Sequence, residues 1–427
     1  MTDRERARNA SGRKAGDEAV ALRRLPYPYR AMLSICSDLD DTTDRRRYLE
    51  IVRFLNTTEM TPMGPGVGLE VGNSIYFDMP PGMFSYWNTD DAGRAMIRTL
   101  IKSGHVDCLH SYGDLATIRA HAARALDELA GHGCRLKVWV DHSAAPTNFG
   151  PDIMRGSGDV PGHQAYHADL TIGHGIRFVW LGRVTSIVGQ DVPPRLGGTW
   201  MGRHPIASAV TTVKEAAKRF LARRGNAKYA MHVTNNVLRR TALRDGASVR
   251  EFIRCNPHWG GVSSGETAGG IGQVLSNEML SRLISREGVC ILYTHLGKRP
   301  GPDGALGDDA VAGLRRLAEA ANAGRILVTT TSRALEYLTA RDCIEWSAGR
   351  RGDQLDIDVR ADENAAQAGA PGGCDDLAGL TFYVPDGCEC RVAVNGTRRN
   401  DLRANPPDST GRPSVMLPWP KLRLPEM

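Results

Sequence analysis

Short apolar runs rich in β-branched residues alternate with helical patterns along most of this chain. The runs fall at residues 30–36 (RAMLSIC), 67–71, 106–110, 136–141, 177–181, 228–234, 289–295 and 325–329. Leu115, Ile118, Ala122, Leu126 and Leu129 recur at helical spacing, as do Val311, Leu314, Leu317 and Ala321 just before the last run. Strand, helix, strand repeated in this way predicts a parallel α/β sheet, open or closed. Near Ala340 the pattern changes: 354–360 (QLDIDVR), 380–384 (LTFYV) and 391–395 (RVAVN) read as strands with no helices between them. They predict a small antiparallel β domain and a Pro-rich tail over 341–427. The stretch 364–373, rich in Ala and Gly, reads as a loop, and 1–27 as a polar, disordered lead-in.

Composition adds limits. At 427 residues the chain has room for one large domain and a smaller one, and its net charge of +6 is modest. Arg45, Arg46 and Arg47 sit beside Asp44 and Glu50, and no basic block interleaved with aromatics appears, so nucleic acid is not an expected partner. No run of about 18 apolar residues is present, which argues against a membrane span. The first 25 residues lack the apolar core of a secretory signal, and the nine cysteines form no small-scaffold framework. Both point to reduced thiols and a cytoplasmic location. Whether the chain forms a homo-oligomer is left open.

Chemistry gathers where the apolar runs end. Ser37-Asp38-Leu39-Asp40-Asp41 follows the first, His110-Ser111-Tyr112-Gly113-Asp114 closes the third, Asp141-His142-Ser143 follows the fourth, and Thr294-His295 ends another. In β/α barrels the C-terminal strand ends form the active-site face, so this distribution is informative. Asp38 and Asp40, two apart, project to one side of an extended backbone, where one carboxylate can hold a cation and the other take a proton from water. The plainer alternative is a helix N-cap with solvated aspartates, for which Asp41, Thr42 and Thr43 are suited. His110 and Asp114, four apart, have a spacing common for two ligands on one turn, although Asp114 could instead cap a helix starting near Leu115. A lone histidine such as His295 at a strand end is more often a hydrogen-bonded core residue than a catalyst.

At these residues the chain resembles the polysaccharide deacetylase family, the NodB-homology group of carbohydrate esterases. Asp38-Leu39-Asp40 is similar to the family's aspartate pair in a more widely spaced form. Gly104-His105 followed by His110-Ser111-Tyr112-Gly113-Asp114 is similar to its histidine motif, with Asp114 replacing the second histidine. Leu292-Tyr293-Thr294-His295 is similar to its Leu-x-His strand end with one extra residue. Where the family supplies an arginine that orients the base, this chain reads Lys137-Val138-Trp139-Val140-Asp141-His142. The resemblance implies a distorted (β/α) barrel of the glycoside hydrolase/deacetylase type over 28–340.

It also implies a mechanism. Asp40, His110 and Asp114 would hold one divalent ion, zinc first and manganese, iron or cobalt as alternatives, with positions open for water and the substrate carbonyl. Such an ion lowers the pKa of bound water from about 16 towards about 7. Asp38 would accept the water proton, and His295 would protonate the leaving amine or alcohol. Asp141, His142, Trp259 and Trp87 are the expected substrate contacts, the indoles as platforms for sugar rings. His163, His167, Asp169 and His174 lie close together but read as a surface or rim segment. The expected activity is deacetylation of an N-acetylated sugar or glycan precursor. A cyclic imide or ureide amidase, and an inactive carbohydrate-binding barrel, are the alternatives.

Overall fold

The structure is a computed structural model that describes residues 20–38, 42, 44–143, 145–200, 202, 204–257, 267–298, 306–361 and 377–427. Asp40, Trp259, the first 19 residues and the Ala/Gly-rich stretch 364–373 therefore lie outside the described residues. Two compact units divide the chain, one made of 31–334 with 422–427 and the other of 1–30 with 335–421.

The larger unit is a mixed α/β fold around a nine-stranded sheet. Its strands are β1 (Ala31–Ser37), β2 (Gly72–Ile75), β3 (Val106–His110), β4 (Val138–Val140), β5 (Phe178–Trp180), β6 (Leu238–Ala242), β7 (Ser248–Phe252), β8 (Val289–Thr294) and β9 (Ile326–Thr329). They run in the order β6-β7-β5-β4-β3-β2-β1-β8, with β9 also paired to β1. Every pairing is parallel except the β6–β7 hairpin. Among the described residues the ladder ends at β6 on one side and at β8 on the other.

Strand β1 pairs with three other strands and every residue in it is buried, as expected for a parallel strand covered on both faces. It pairs with β8 through residues 32–37, with β9 through 31–34 and with β2 only at 36–37. One edge of β1 therefore changes neighbour halfway along.

Helices cover the sheet by the apolar stripes that the sequence pattern indicates. In α1 (Arg45–Asn56) the buried residues include Tyr48, Ile51, Val52 and Leu55; in α2 (Asp91–Lys102) they include Met96, Ile97, Leu100 and Ile101. Leu33, Ile35, Phe54, Leu55, Leu100, Leu109, Trp139, Leu314 and Leu317 belong to one continuous core. The cap of α1 is Asp44, whose side chain accepts from the Arg47 N–H at 2.9 Å. Asp38 has no part in capping that helix.

Two local readings change. Residues 228–234, expected as a strand, form a 3-10 turn (Ala227–Tyr229) and a short helix (Met231–Thr234). The run at 67–71, largely buried, lies outside the ladder, and the strand is Gly72–Ile75, just beyond it.

A third helix, α3 (Arg119–Gly131), begins later than its apolar spacing suggests and leaves Leu115 exposed. A fourth, α4 (Ala168–His174), is short, and a fifth, α5 (Pro205–Arg223), is the longest. Helix α5 buries Ser208 and Glu215 while exposing Ile206, Val210, Val213, Phe220 and Leu221. Its polar face is turned inward.

The smaller unit contains two four-stranded sheets. In one, Ala21–Leu22 pairs with Thr381–Tyr383, which pairs with Ser414–Met416 and that with Arg403–Asn405. Val20–Tyr27, placed by polarity in the lead-in, are thus part of this unit, with Val20 and Leu25 buried. In the other sheet Ile344–Arg351 and Gln354–Ala361 form a hairpin, and Gln354–Ala361 runs parallel to Glu389–Val394, so the unit is not purely antiparallel.

Candidate active site

Register brings four polar residues to one level at the C-terminal edge of the sheet. Ser37 on β1 is opposite Asn73 on β2 and Thr294 on β8, so the next residues, Asp38, Ser74 and His295, come level. Ile75 is opposite Leu109, which sets Tyr76 beside His110 one step further on. The C-terminal edge of a parallel sheet is where ligands bind in open α/β folds and in barrels alike.

Asp38 is the centre of the group and is fully buried. Its Oδ2 meets His110 Nε2 at 3.0 Å and lies 3.6 Å from His295 Nε2, while Ser74 donates its hydroxyl to Oδ1. Burial pushes the Asp38 carboxyl upward, but the charge and hydrogen bond of His110, with His295 and Arg254 behind them, outweigh it and hold the carboxyl well below the usual carboxylate range. Asp38 is ionised at neutral pH.

For His110 burial is the larger effect and brings its pKa down to about 4 against the pull of Asp38. The imidazole is neutral at pH 7, and a neutral ring that donates Nε2–H to Asp38 leaves Nδ1 as a bare acceptor. That nitrogen is buried and has no hydrogen-bond partner among the described residues. Tyr76 stacks on the His110 ring at 4.4 Å and His142 meets it edge-on at 4.9 Å. His295, nearly buried, lies 2.7 Å from the Tyr293 hydroxyl through Nε2.

The loop after β3 separates the two ligands expected there. Ser111, Tyr112 and Gly113 all have positive φ, at 45°, 64° and 107°. A Cβ at position 113 would stand 2.3 Å from the Asp78 carbonyl oxygen, so glycine is needed. The chain after His110 is therefore a tight left-handed turn and not the start of a helix. Asp114 leaves this turn to pair with His142 Nδ1 at 2.9 Å, so His110 and Asp114 do not share one turn of helix.

Asp141, an expected substrate contact, is fully buried and clamps a loop. Its Oδ1 accepts from the Trp139 indole at 2.7 Å and the Phe149 N–H at 2.9 Å, and its Oδ2 accepts from the Gly150 N–H at 2.8 Å. Those three hydrogen bonds engage both of its oxygens inside the fold. His142 is placed well for a substrate contact, beside His110 and only part-buried. Trp87 sits elsewhere, under the Arg124 guanidinium at 4.1 Å, in a surface cleft lined also by Asp127, Glu128 and His132 but by none of the Asp38 group. The histidines at 163–174 have separate partners: His167 bonds Thr147 O and Thr171, whereas Asp169 pairs with Arg119.

Among the described residues no group of three His, Cys, Asp or Glu side chains is arranged to hold a metal ion. The bare His110 Nδ1 would suit one ligand position, but Asp114 is engaged with His142 and Asp40 is outside the described residues. The set of three is not assembled by the residues described.

Sequence reasoning missed Ser74, Tyr293 and Arg254. Ser74 lies in a strand with a single large apolar residue, and Arg254 in a two-residue strand (Arg254–Cys255) that pairs with Val184–Thr185. The available signal for Arg254 was a cation directly after the apolar pair Phe252-Ile253 and before Cys255.

No family model, curated protein or solved structure gives a significant match to this chain.

Proposed function

We propose that this protein is a hydrolase that deacetylates an N-acetylated sugar or glycan precursor, built on a sheet of the distorted deacetylase-barrel type. One observation carries the reading: Asp38, Ser74, His110 and His295 converge from four parallel strands that lie side by side in the ladder, at their C-terminal ends. A buried carboxylate with two imidazoles on one oxygen is the equipment of proton transfer. Asp38 and His110 act as one acceptor for the proton of the attacking water, with Asp38 fixing the ring and balancing its charge as the proton arrives. His295, held by Tyr293, protonates the departing amine. The family resemblance implies a divalent ion as well; His110 Nδ1 would then be one of its ligands, the ion would make the bound water more acidic, and Asp38 alone would take the proton.

The test uses two acetyl donors in parallel, an N-acetyl sugar and an acetylated phenol. Asp38→Asn should abolish acetate release from both. His295→Ala should cost the N-acetyl sugar far more than the phenol ester, because an amine leaves only when protonated and a phenolate leaves unaided. Equal losses on the two donors would remove His295 as the acid, and full activity in Asp38→Asn would remove the reading as a whole.

A further inference from the structure

Arg254 is a buried cation whose donors are left over. It is 1% exposed, yet among the described residues neither Nε nor Nη1 has a hydrogen-bond partner, and Nη2 reaches only the weak acceptor Cys36 Sγ at 3.6 Å. Its guanidinium carbon lies 4.1 Å from the centre of the Trp180 ring and 4.3 Å from that of Tyr293. Aromatic rings attract a cation diffusely through their faces, but they offer no lone pairs in the guanidinium plane. Two N–H donors on one rigid group, buried without acceptors, are a costly arrangement for a fold to keep empty.

Arg254 lies beside the Asp38 group. Tyr293, one of the two rings beside Arg254, is the residue bonded to His295 Nε2. Cys36, which Arg254 touches, stands two residues before Asp38 on β1. The positive charge of Arg254 also acts on both Asp38 and His110. Asp38 does not neutralise it by contact, because the hydrogen bonds of its carboxylate go to Ser74 and His110.

We propose that Arg254 anchors an oxyanion, a carboxylate or a phosphate ester, carried by the molecule that reacts at Asp38. The substrate class is then an acidic N-acyl compound: an acylated sugar bearing a carboxylate or phosphate, and not a neutral one. Arg254 fixes the anion through Nε and Nη1, a fork suited to two oxygens, and the Trp180 and Tyr293 rings keep it from turning. This assignment rests on reading the Asp38 group as the reacting centre.

Anion binding to the full chain tests it without any turnover. Acetate and inorganic phosphate are titrated at constant ionic strength, with thermal midpoint and tryptophan fluorescence as readouts, Trp180 being beside the guanidinium. Saturable binding of at least one of them is expected. It should weaken tenfold or more in Arg254→Gln and by less in Arg254→Lys, which keeps the charge without the fork. Tighter acetate binding assigns a carboxylate and tighter phosphate binding a phosphate ester. Asp38→Asn should bind the anion at least as tightly as the unsubstituted protein does, because it removes a negative charge that acts on the guanidinium. A failure of the deacetylase reading would thus leave this binding intact, whereas loss of the anion effect alone would leave acetate release intact. Equal binding in the unsubstituted protein and both Arg254 variants, or no saturable binding at all, would overturn the proposal. Should Arg254→Gln not fold, Arg254→Lys still decides it.

Discussion

Asp141 combines a burial penalty with three hydrogen bonds that only partly offset it. Burial raises its carboxyl to about 7, while the Trp139 indole and the Phe149 and Gly150 amides pull it back. A carboxyl raised in the folded state holds its proton longer than the unfolded chain does. Its contribution is therefore most favourable below the unfolded value of about 4 and is lost as pH rises to about 7. Compared with Asp141→Asn, the unsubstituted protein should lose thermal midpoint over that window, and parallel curves would show the carboxyl to be unshifted. His110 slopes the other way. Its pKa falls to about 4 in the fold, so protonation at low pH favours the unfolded chain, and stability drops as pH falls from about 6.5 to about 4. His110→Gln should remove that acid-side slope in the same melting series; a slope that persists would place its origin elsewhere.

The same residues show what was legible at this scale. Asp38, His110 and His295 stood out because each is a polar residue closing an apolar run, and a parallel sheet aligns such ends. Asp141 looked identical in sequence, and only the loop that returns to it, bringing the Phe149 and Gly150 amides, separates it from the others. Arg254 was hidden because its partners are rings contributed by Trp180 and Tyr293, far apart in the chain.

Elements were legible where their own residues determine them. Strand β3 has the predicted bounds, and the helix around Leu314 and Leu317 runs from Asp308 to Asn322. Strand β2 was displaced because Gly-Asn-Ser-Ile has almost no apolar signal. It is a strand because two neighbours pair with it, and Asn73 further ties its backbone N–H and its side chain to His105 O at 3.0 Å each. Residues 228–234 failed in the opposite sense, since β-branched residues with no neighbouring strand coil into short helical turns. The apolar outward face of α5 makes a prediction of its own. Val213, 68% exposed, has little burial to lose, so Val213→Lys should alter stability by no more than about 0.5 kcal/mol. A clearly lower urea midpoint for that variant would mean the side chain is covered in solution.

At the scale of the molecule, the smaller unit is closed by its first and last segments. Arg23 pairs with Asp408 at 3.2 Å, both side chains less than a tenth exposed, and Nη1 donates to the carbonyls of Leu25, Pro26 and Tyr29. Removing one partner of a buried pair leaves the other charge uncompensated, a loss of about 3–5 kcal/mol. Arg23→Met should lower the unfolding free energy of this unit by that amount, read from chemical denaturation, and an unchanged midpoint would show that the pair contributes nothing.

That pairing also has a timetable. Arg23 and Asp408 are 385 residues apart in sequence, and a ribosome adding about 5–20 residues per second needs roughly 20–80 s to cover the distance. Residues 31–334, most of the larger unit, are made within that interval. The segment Val20–Arg30, made long before Asp408, is thus among the last to find its place.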